Sequence, residues 1–247
     1  MATYKNVIES EFEDVFNKDH HLKGKWKQDY FKNNHPLVLE LGCGKGEYTV
    51  GLARLYPDKN FIGIDIKGAR MHKGATEALE EGLTNAAFLR TRIEFIQSFF
   101  GVDEVDEVWL TFPDPQMKKS TKRLTSSFFL KRYREFLSPS SVIHLKTDSQ
   151  FLYEYTLELV KLNHLTIEVN CDDLYHSDYV DSILSLQTYY ESKWLAKGIP
   201  IKYLKFYMGE EKSWTEPDKD FEFDIYHNKG RGYRERNVID GRKTAGR

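Results

Sequence analysis

The chain has 247 residues, of which 40% are hydrophobic and 30% charged, and its formal net charge is −2. This composition is typical of a globular protein, excludes a disordered or fibrous chain, and provides enough residues for one sizeable core. The small net charge gives no overall attraction to a polyanion, so nucleic-acid binding would depend on local basic patches.

The hydrophobic pattern predicts an α/β fold. Residues 3–16 are predicted to form a short amphipathic helix, and residues 17–35 a polar connection. Strands are predicted at residues 36–41, 60–66, 86–91, 105–111, 141–147, 166–170 and 201–208, and helices at residues 48–56, 68–81, 94–100, 126–137, 150–162 and 188–197. Such alternation implies a largely parallel, seven-stranded sheet with helices on both faces.

The sheet is expected to end in an antiparallel edge strand, because the turn Gly198-Ile199-Pro200 is too short for a crossover. We predict three segments: an N-terminal helix and connection (residues 1–35), a central domain (residues 36–208) and a polar, partly flexible C-terminal extension (residues 209–247). Ligands of such sheets bind at the carboxyl ends of the strands.

A glycine-rich loop follows the first predicted strand. Gly42, Gly44 and Gly46 have the spacing G-x-G-x-G, whereas a dinucleotide fingerprint has G-x-G-x-x-G. Glu40, before the loop, would attract a cationic methyl donor and repel a pyrophosphate. Asp65, at the end of the next strand, lies where an acid would bind ribose hydroxyls. The alternative is that the glycines only make a turn and Asp65 only caps a helix.

A proline-framed acid follows the fourth predicted strand. Asp114 lies between Pro113 and Pro115, which would hold its carboxylate rigidly at the carboxyl edge of the sheet. The alternative is an aspartate that only stabilises a turn. An acid-free basic run comes next, with Lys118, Lys119, Lys122, Arg123, Lys131, Arg132 and Arg134. A second basic patch contains Lys229, Arg231, Arg234, Arg236, Arg242, Lys243 and Arg247.

The chain is expected to be cytoplasmic and not associated with a membrane. No run of about 18 apolar residues is present, and the acidic start MATYKNVIESEFEDVF is unlike a secretory signal. Two cysteines, Cys43 and Cys171, are too few for a disulfide scaffold or a four-ligand zinc site, so we expect a reducing compartment and no metal centre.

Several segments over residues 36–208 together resemble the bacterial tRNA (guanine-N7-)-methyltransferases. They are Glu40-x-Gly-x-Gly-x-Gly, Phe112-Pro113-Asp114-Pro115, Lys118-Lys119, Arg123-Leu124-Thr125, Leu145-Lys146-Thr147-Asp148 and Thr188-Tyr189-Tyr190-Glu191. The resemblance implies a Rossmann-like methyltransferase fold, S-adenosylmethionine as cofactor and tRNA as partner. The implied reaction is methylation at N7 of a guanine in the variable loop.

The resemblance also implies roles for individual residues. Glu40, Asp65 and Asp114 would contact S-adenosylmethionine, with Asp114 also at the reaction centre as the catalytic residue. Residues implied to hold the guanine and its nucleotide are Lys118, Asp148, Thr188, Tyr189, Tyr190 and Glu191. Lys119, Lys122 and Arg123, together with Lys118, would bind RNA phosphates, which supplies affinity rather than base choice.

The chain departs from the family pattern at two places. Thr91-Arg92-Ile93 stands where the family normally has Asp or Asn followed by Ala, and the adenine contact is assigned to Arg92. The loop after Pro115 lacks the family's usual Trp, Arg and His. The altered loop leaves open a tRNA-binding protein with a degenerate methyltransferase fold. A nicotinamide-dependent dehydrogenase is the other alternative, which the glycine spacing and Glu40 disfavour. The protein would be a monomer or a homodimer.

Overall fold

The computed structural model describes residues 4–211 and 213–225, which form one eight-stranded sheet flanked by helices. The strands are β1 (Val7–Glu9), β2 (Leu37–Leu41), β3 (Asn60–Asp65), β4 (Ala86–Arg90), β5 (Val105–Thr111), β6 (Leu137–Thr147), β7 (Ile167–Cys171) and β8 (Lys202–Tyr207). The α-helices are α1 (Phe12–Val15), α2 (Glu47–Leu55), α3 (Gly68–Glu80), α4 (Ser127–Tyr133), α5 (Gln150–Leu162) and α6 (Tyr189–Leu195).

The strand order is β1-β4-β3-β2-β5-β6-β8-β7, and only β8 runs against the other strands. The central strands β2 and β3 are buried along nearly their whole length because helices cover both faces. All five residues of β2 are buried, and alternate residues enter different cores. Leu37 and Leu39 pack with α4 and α5 on one face, whereas Val38 packs with α2 and α3 on the other.

The α/β fold class is confirmed, but the N-terminal prediction was wrong. Val7–Glu9 forms a strand that pairs in parallel with Phe88, Leu89 and Arg90 of β4, and only Phe12–Val15 is helical. The open edge of β4 offers backbone partners, and β-branched Val7 and Ile8 suit a strand. The sheet therefore has eight strands instead of seven.

Four further predictions differ from the structure. The antiparallel strand β8 lies between β6 and β7, one position inside the edge. Residues 93–98 form a 3₁₀ helix, and α4 is shorter than predicted because β6 already begins at Leu137. The polar connection contains a π-helix, Trp26–Phe31, whose buried Trp26 indole donates to the carbonyl oxygen of Phe99 at 2.8 Å.

Strand register brings the predicted site residues to one edge of the sheet. Leu41 pairs with Ile64, Glu40 with Trp109, and Thr111 with Lys146, so β2, β3, β5 and β6 end together. None of the helices formed by the described part of the chain has the length and hydropathy of a bilayer span. Of the predicted C-terminal extension, residues 209–211 and 213–225 are described, and residues 226–247 lie outside the described part.

Candidate active site

The glycine-rich loop is shaped by left-handed backbone. Gly42 and Gly44 have φ angles of 82° and 55°, which side chains with a Cβ rarely adopt. A Cβ on Gly42 would meet no atom within 4 Å, so this glycine borders open space. Asp65 fastens the loop, because its carboxylate accepts from the Gly44 amide at 3.0 Å and from the Lys67 amide at 2.8 Å.

Gly46 has a packing role, which differs from the predicted cofactor contact. A Cβ at this position would lie 2.6 Å from the ring of Phe88, on the neighbouring strand β4. The residue begins α2 as its N-cap with φ of 73°. Gly46 therefore lets α2 approach the sheet closely, and only Gly42 and Gly44 border the clefts beside the loop.

Glu40 lies beneath the loop and joins three elements. Its side chain is only 4% exposed. One carboxylate oxygen accepts from the Thr49 amide at 2.8 Å and from the Thr49 hydroxyl, and the other accepts from the Thr111 hydroxyl. Desolvation by burial raises the pKa of Glu40 from 4.5 to about 7. The sequence analysis missed both threonines, which carry no distinguishing motif.

This burial predicts a pH-dependent stability difference between the wild type and Glu40→Gln. Between pH 4.5 and 7 the folded wild type binds more protons at Glu40 than the unfolded chain, so its unfolding free energy falls as pH rises through that window. Glutamine does not ionise, and Glu40→Gln should be more stable than the wild type at pH 8 by up to about 3 kcal/mol. Urea unfolding at pH 5 and pH 8 measures this difference. Equal pH dependence in both proteins would contradict it.

A cavity of about 290 Å³ opens beside the glycine loop at the ends of β3 and β4. Apolar side chains of Ile66, Ile93 and Leu124 line it together with the Asp65 carboxylate. Apolar walls suit a purine, and a carboxylate suits ribose hydroxyls, so the cavity fits the adenosine part of S-adenosylmethionine. Arg92 lies at its rim, where its exposed guanidinium is 4.0 Å from the carboxylate of Glu94.

A second cleft lies on the other side of the same loop. Its walls include Glu40, Gly44, Thr111, Phe112 and Thr188. The two clefts share Gly42, and the second connects the loop to the helix with the predicted guanine contacts. A ligand that passes over Gly42 would therefore have its two ends near Asp65 and near Thr188.

Asp114 lies in a strained loop directly after β5. The loop begins at Phe112 and includes Gln116, and these two non-glycine residues have φ angles of 51° and 47°, which are uncommon and often occur at functional sites. The Asp114 carboxylate accepts from the Gln116 amide at 3.0 Å, and the side chain is exposed. The Phe112 amide donates to the Lys146 carbonyl oxygen at 2.8 Å, which ties the loop to β6.

The predicted phosphate contacts divide into exposed and engaged side chains. Lys118 and Lys119 are exposed beside Asp114. Lys122 is exposed but forms an ion pair of 2.8 Å with Glu94 at the adenosine cavity. Arg123 is buried, so the predicted RNA contact does not fit its position.

Arg123 instead holds the loop that follows Asp114. Its guanidinium lies over the rings of Phe151 and Tyr155, at 4.7 Å and 4.4 Å from their centres. It donates to the carbonyl oxygen of Met117 at 2.8 Å and to that of Gln116 at 3.3 Å. Stacking and hydrogen bonding together occupy the planar guanidinium. Arg123 therefore stabilises the Asp114 loop from the protein interior.

Asp148 follows β6 at the same edge and is 3% exposed. The N-cap of α5 is Ser149, whose hydroxyl accepts from the Leu152 amide at 3.0 Å, so Asp148 is not that cap. The Lys202 ammonium donates to the carbonyl oxygen of Asp148 at 3.0 Å. The backbone of Asp148 is thus held by a buried lysine at the carboxyl end of β6.

The helix α6 begins with Thr188 and Glu191 in a reciprocal capping box. Glu191 is fully buried, and its carboxylate accepts from the Lys146 ammonium and from the Tyr175 hydroxyl, both at 2.7 Å. This placement differs from the predicted guanine contact, because the carboxylate is used inside the protein. Tyr189 and Tyr190 are exposed and available to a ligand.

Lys146 is a further residue of this site to which the sequence analysis assigned no role. Its side chain is fully buried on β6, next to Glu191, and its ammonium also donates to the carbonyl oxygens of Leu184 and Leu186 at 2.8 Å and 3.0 Å. Burial lowers the pKa of Lys146. The available signal was a lysine within a predicted strand that also contains apolar Val142, Ile143 and Leu145. The residue fastens the segment before α6 to the sheet.

Comparison with known proteins identifies similar sequences. The profile of a family described as putative methyltransferase matches residues 34–204. The tRNA (guanine-N(7)-)-methyltransferase of Bacteroides thetaiotaomicron is 56% identical over 234 residues, which cover 95% of this chain and 93% of that protein. The enzyme of the same description from Porphyromonas gingivalis is 54% identical, with coverage of 88% of this chain and 90% of that protein.

Solved structures show the same fold at low identity. The 16S rRNA methyltransferase KamB has a TM-score of 0.59 at 14% identity and covers 78% of this chain and 95% of that one. The antibiotic-resistance methyltransferase Kmr has a TM-score of 0.51 at 17% identity and covers 75% of this chain and 91% of that one. At these identities the likeness concerns the arrangement of strands and helices only.

Proposed function

Because this chain belongs to the tRNA (guanine-N(7)-)-methyltransferase family, we propose that it methylates N7 of a guanine in the variable loop of tRNA, with S-adenosylmethionine as cofactor. The observation that carries the proposal is 56% identity over 95% of the chain to a protein of that description. The location of the glycine loop, Asp65 and Asp114 at one sheet edge supports it.

The residues present fit the cofactor. Gly42 and Gly44 leave space above the backbone, Asp65 offers a carboxylate to ribose hydroxyls, and apolar Ile66 and Ile93 suit the adenine. Bound S-adenosylmethionine supplies an electrophilic methyl group. Glu40 supports this site from the protein interior. Its carboxylate accepts from Thr49 in α2 and from Thr111 in β5.

The protein would contribute to the reaction mainly by aligning guanine N7 with the methyl group of the cofactor. Guanine N7 carries a lone pair, so no base has to remove a proton before attack. Asp114 would stabilise the positive charge that develops on the methylated ring, and its proline-framed loop keeps the carboxylate in place. By the family resemblance Asp148 would accept from the N1 and N2 protons of the guanine, whereas the Glu191 carboxylate is held by Lys146.

Exposed groups around this edge suit a folded RNA. Lys118 and Lys119 would bind phosphates, and the exposed ring of Tyr189 or Tyr190 would stack on a base. The ammonium groups of Lys45 and Lys193 lie over the Tyr189 ring, 4.1 Å and 4.2 Å from its centre, so they would have to move aside before a base could stack on that ring. We place the protein in the cytoplasm, where tRNA is available and two buried free thiols stay reduced.

The test is methyl transfer from labelled S-adenosylmethionine to tRNA that lacks the modification, followed by nucleoside mass spectrometry. We expect 7-methylguanosine, and no label when the variable-loop guanine is replaced by adenine. Retardation of tRNA on a gel without methyl transfer would support a tRNA-binding protein instead. Tight NADH binding without S-adenosylmethionine binding would support a dehydrogenase.

Lys118→Ala is expected to raise KM for tRNA and to reduce the dependence of tRNA affinity on salt by about one phosphate contact. The reason is that Lys118 is exposed directly after the Asp114 loop. Lys161→Ala is the matched control. Lys161 is an exposed lysine in the last turn of α5, at the end of that helix that lies away from the carboxyl ends of the parallel strands. An equal salt dependence in both variants would contradict the assignment of Lys118.

A further inference from the structure

The helix α3 packs closely against the glycine-rich loop. A Cβ on Gly74 would lie 2.7 Å from the carbonyl oxygen of Lys45 and 3.0 Å from the Cα of Gly46. Arg70 precedes Gly74 by four residues, so the two positions share one face of the helix. Arg70 is therefore on the face of α3 that contacts the loop, one turn nearer to the carboxyl edge of the sheet.

Other side chains on this face of α3 pair with α2. The Lys73 ammonium lies 3.6 Å from the Glu47 carboxylate, and Glu77 forms an ion pair with Arg54. Lys73 already faces the first residue of α2. Arg70, one turn earlier, therefore lies beyond the amino end of α2, where it lines the second cleft.

Arg70 has no partner in the described part of the chain. Its side chain is half-buried, yet residues 4–211 and 213–225 offer the guanidinium no hydrogen bond, ion pair or aromatic ring. By contrast, Lys45, which lines the same cleft, lies over the Tyr189 ring at 4.1 Å from its centre. A half-buried charge without a counterion costs desolvation, which an anionic ligand would offset. Among the described residues that line this cleft, Arg70 is thus the unpaired cation.

Two carboxylates line the same cleft. Glu40 is buried beside the loop, and Glu47 accepts from the Tyr189 amide at 3.0 Å. Negative charges at these positions favour the sulfonium and ammonium groups of S-adenosylmethionine and repel its carboxylate. The methionine part of the cofactor therefore needs a cation for its carboxylate. An arginine suits this role, because its planar fork donates two parallel hydrogen bonds to a carboxylate.

The two clefts differ in size as the two parts of the cofactor do. The adenosine cavity has a volume of about 290 Å³, and the second cleft has about 100 Å³. The smaller space suits the short methionine part rather than a second purine nucleotide. Gly42 borders both clefts, so a ligand with its ribose at Asp65 directs its other end toward Arg70.

We propose that the Arg70 guanidinium binds the carboxylate of S-adenosylmethionine and fixes the methionine end of the cofactor. Asp65 ends β3 and Arg70 lies in the first turn of α3, so one connection of the chain would hold both ends of the ligand. Holding both ends restricts the orientation of the sulfonium methyl group between them. The proposal rests on the proposed function, because it assumes that S-adenosylmethionine is the cofactor.

The test is calorimetric titration of the wild type and R70Q with S-adenosylmethionine and with decarboxylated S-adenosylmethionine. The second ligand keeps the sulfonium and the ammonium but lacks the carboxylate. We expect R70Q to bind S-adenosylmethionine about tenfold or more weakly than the wild type, because a charge-assisted hydrogen bond is lost. The decarboxylated ligand should bind R70Q at least as tightly as the wild type. An equal loss of affinity for both ligands, or no loss for S-adenosylmethionine, would overturn the proposal.

Two further variants control for charge and for folding. K73Q removes a positive charge one turn further along the same face of α3, where 59% of the lysine side chain is exposed. We expect K73Q to keep the affinity for S-adenosylmethionine within about twofold. R70M keeps an apolar stem and is titrated beside R70Q, with urea unfolding as the check that each variant is folded. Equal losses of affinity in K73Q and R70Q would contradict a specific role of Arg70.

An RNA phosphate is the competing anion for Arg70. Gel retardation of tRNA without cofactor separates the two anions, because R70Q should then retain the tRNA affinity of the wild type and its salt dependence. Weaker tRNA binding by R70Q, together with unchanged affinity for S-adenosylmethionine, would overturn the proposal in favour of a phosphate contact.

Failure of the inference differs from failure of the proposed function. If the wild type binds no S-adenosylmethionine in the calorimeter, the proposed function fails. If the wild type methylates tRNA and R70Q binds S-adenosylmethionine as tightly as the wild type, only the role of Arg70 is refuted.

Discussion

Replacing Asp114 with alanine is expected to lower kcat for tRNA methylation about a hundredfold or more while leaving the fold intact. Its carboxylate is the exposed acid of the loop after β5, held by the Gln116 amide at 3.0 Å. Loss of this fixed charge removes stabilisation of the methylated purine. Because the side chain is exposed, the unfolding free energy should change by no more than about 1 kcal/mol.

Two variants make the Asp114 result interpretable. Asp114→Asn retains an acceptor for the Gln116 amide but removes the charge, so a kcat as low as that of Asp114→Ala would assign the effect to electrostatics. Glu135→Ala removes an exposed acid after α4, away from the loop, and should keep wild-type kcat. Wild-type turnover in Asp114→Ala would exclude Asp114 from the mechanism. The measurements are single-turnover methylation and urea unfolding.

Lys146→Met is expected to lower the unfolding free energy by about 3–5 kcal/mol, because it leaves the Glu191 carboxylate buried without its cation. Both side chains of this ion pair are fully buried at an N–O distance of 2.7 Å. The ammonium also satisfies the carbonyl oxygens of Leu184 and Leu186, so the segment before α6 should loosen as well. Urea unfolding monitored by circular dichroism measures the loss.

A double variant separates the charge from the hydrogen bonds in this cluster. In Lys146→Met/Glu191→Gln the buried charge is gone, while the single carbonyl oxygen of glutamine still accepts from the Tyr175 hydroxyl or from the Thr188 amide, which bond different oxygens of Glu191. It should be more stable than Lys146→Met alone by about 2 kcal/mol. Lys205→Met, in a partly exposed pair with Glu168, should cost less than about 1 kcal/mol. Additive losses in the double variant would show that the pair does not act through its charges.

Sequence patterns predicted the central fold well where neighbouring residues determine structure. The bounds of β5 and α5 agree with prediction, since a short apolar stretch such as Val108-Trp109-Leu110 and a helical repeat each need only local information. The first helix was mispredicted because residues 7–9 become a strand only through pairing with β4, which lies about 80 residues away. Long-range pairing of this kind leaves no local signature.

In the candidate site too, local sequence patterns predicted some features, and long-range contacts decided others. Motif spacing placed Glu40, Gly42, Asp65 and Asp114 at the carboxyl edge of the sheet, and the strand order agrees with that location. Burial altered other roles, because an arginine or glutamate in a motif does not reveal whether its charged group faces solvent. Arg123 lies against two aromatic rings, and Glu191 pairs with Lys146 inside the protein.

The amino-acid sequence by itself determined the α/β class, the edge at which a ligand binds and the residue types that meet there. It does so because apolar periodicity and strand ends are local properties of a chain. Tertiary structure alone decided that β1 joins the sheet, that Lys146 neutralises Glu191, and that Asp224 accepts from Ser149 beside Asp148. Each of these depends on contacts between residues far apart in the chain, whose burial and partners exist only once the chain has packed.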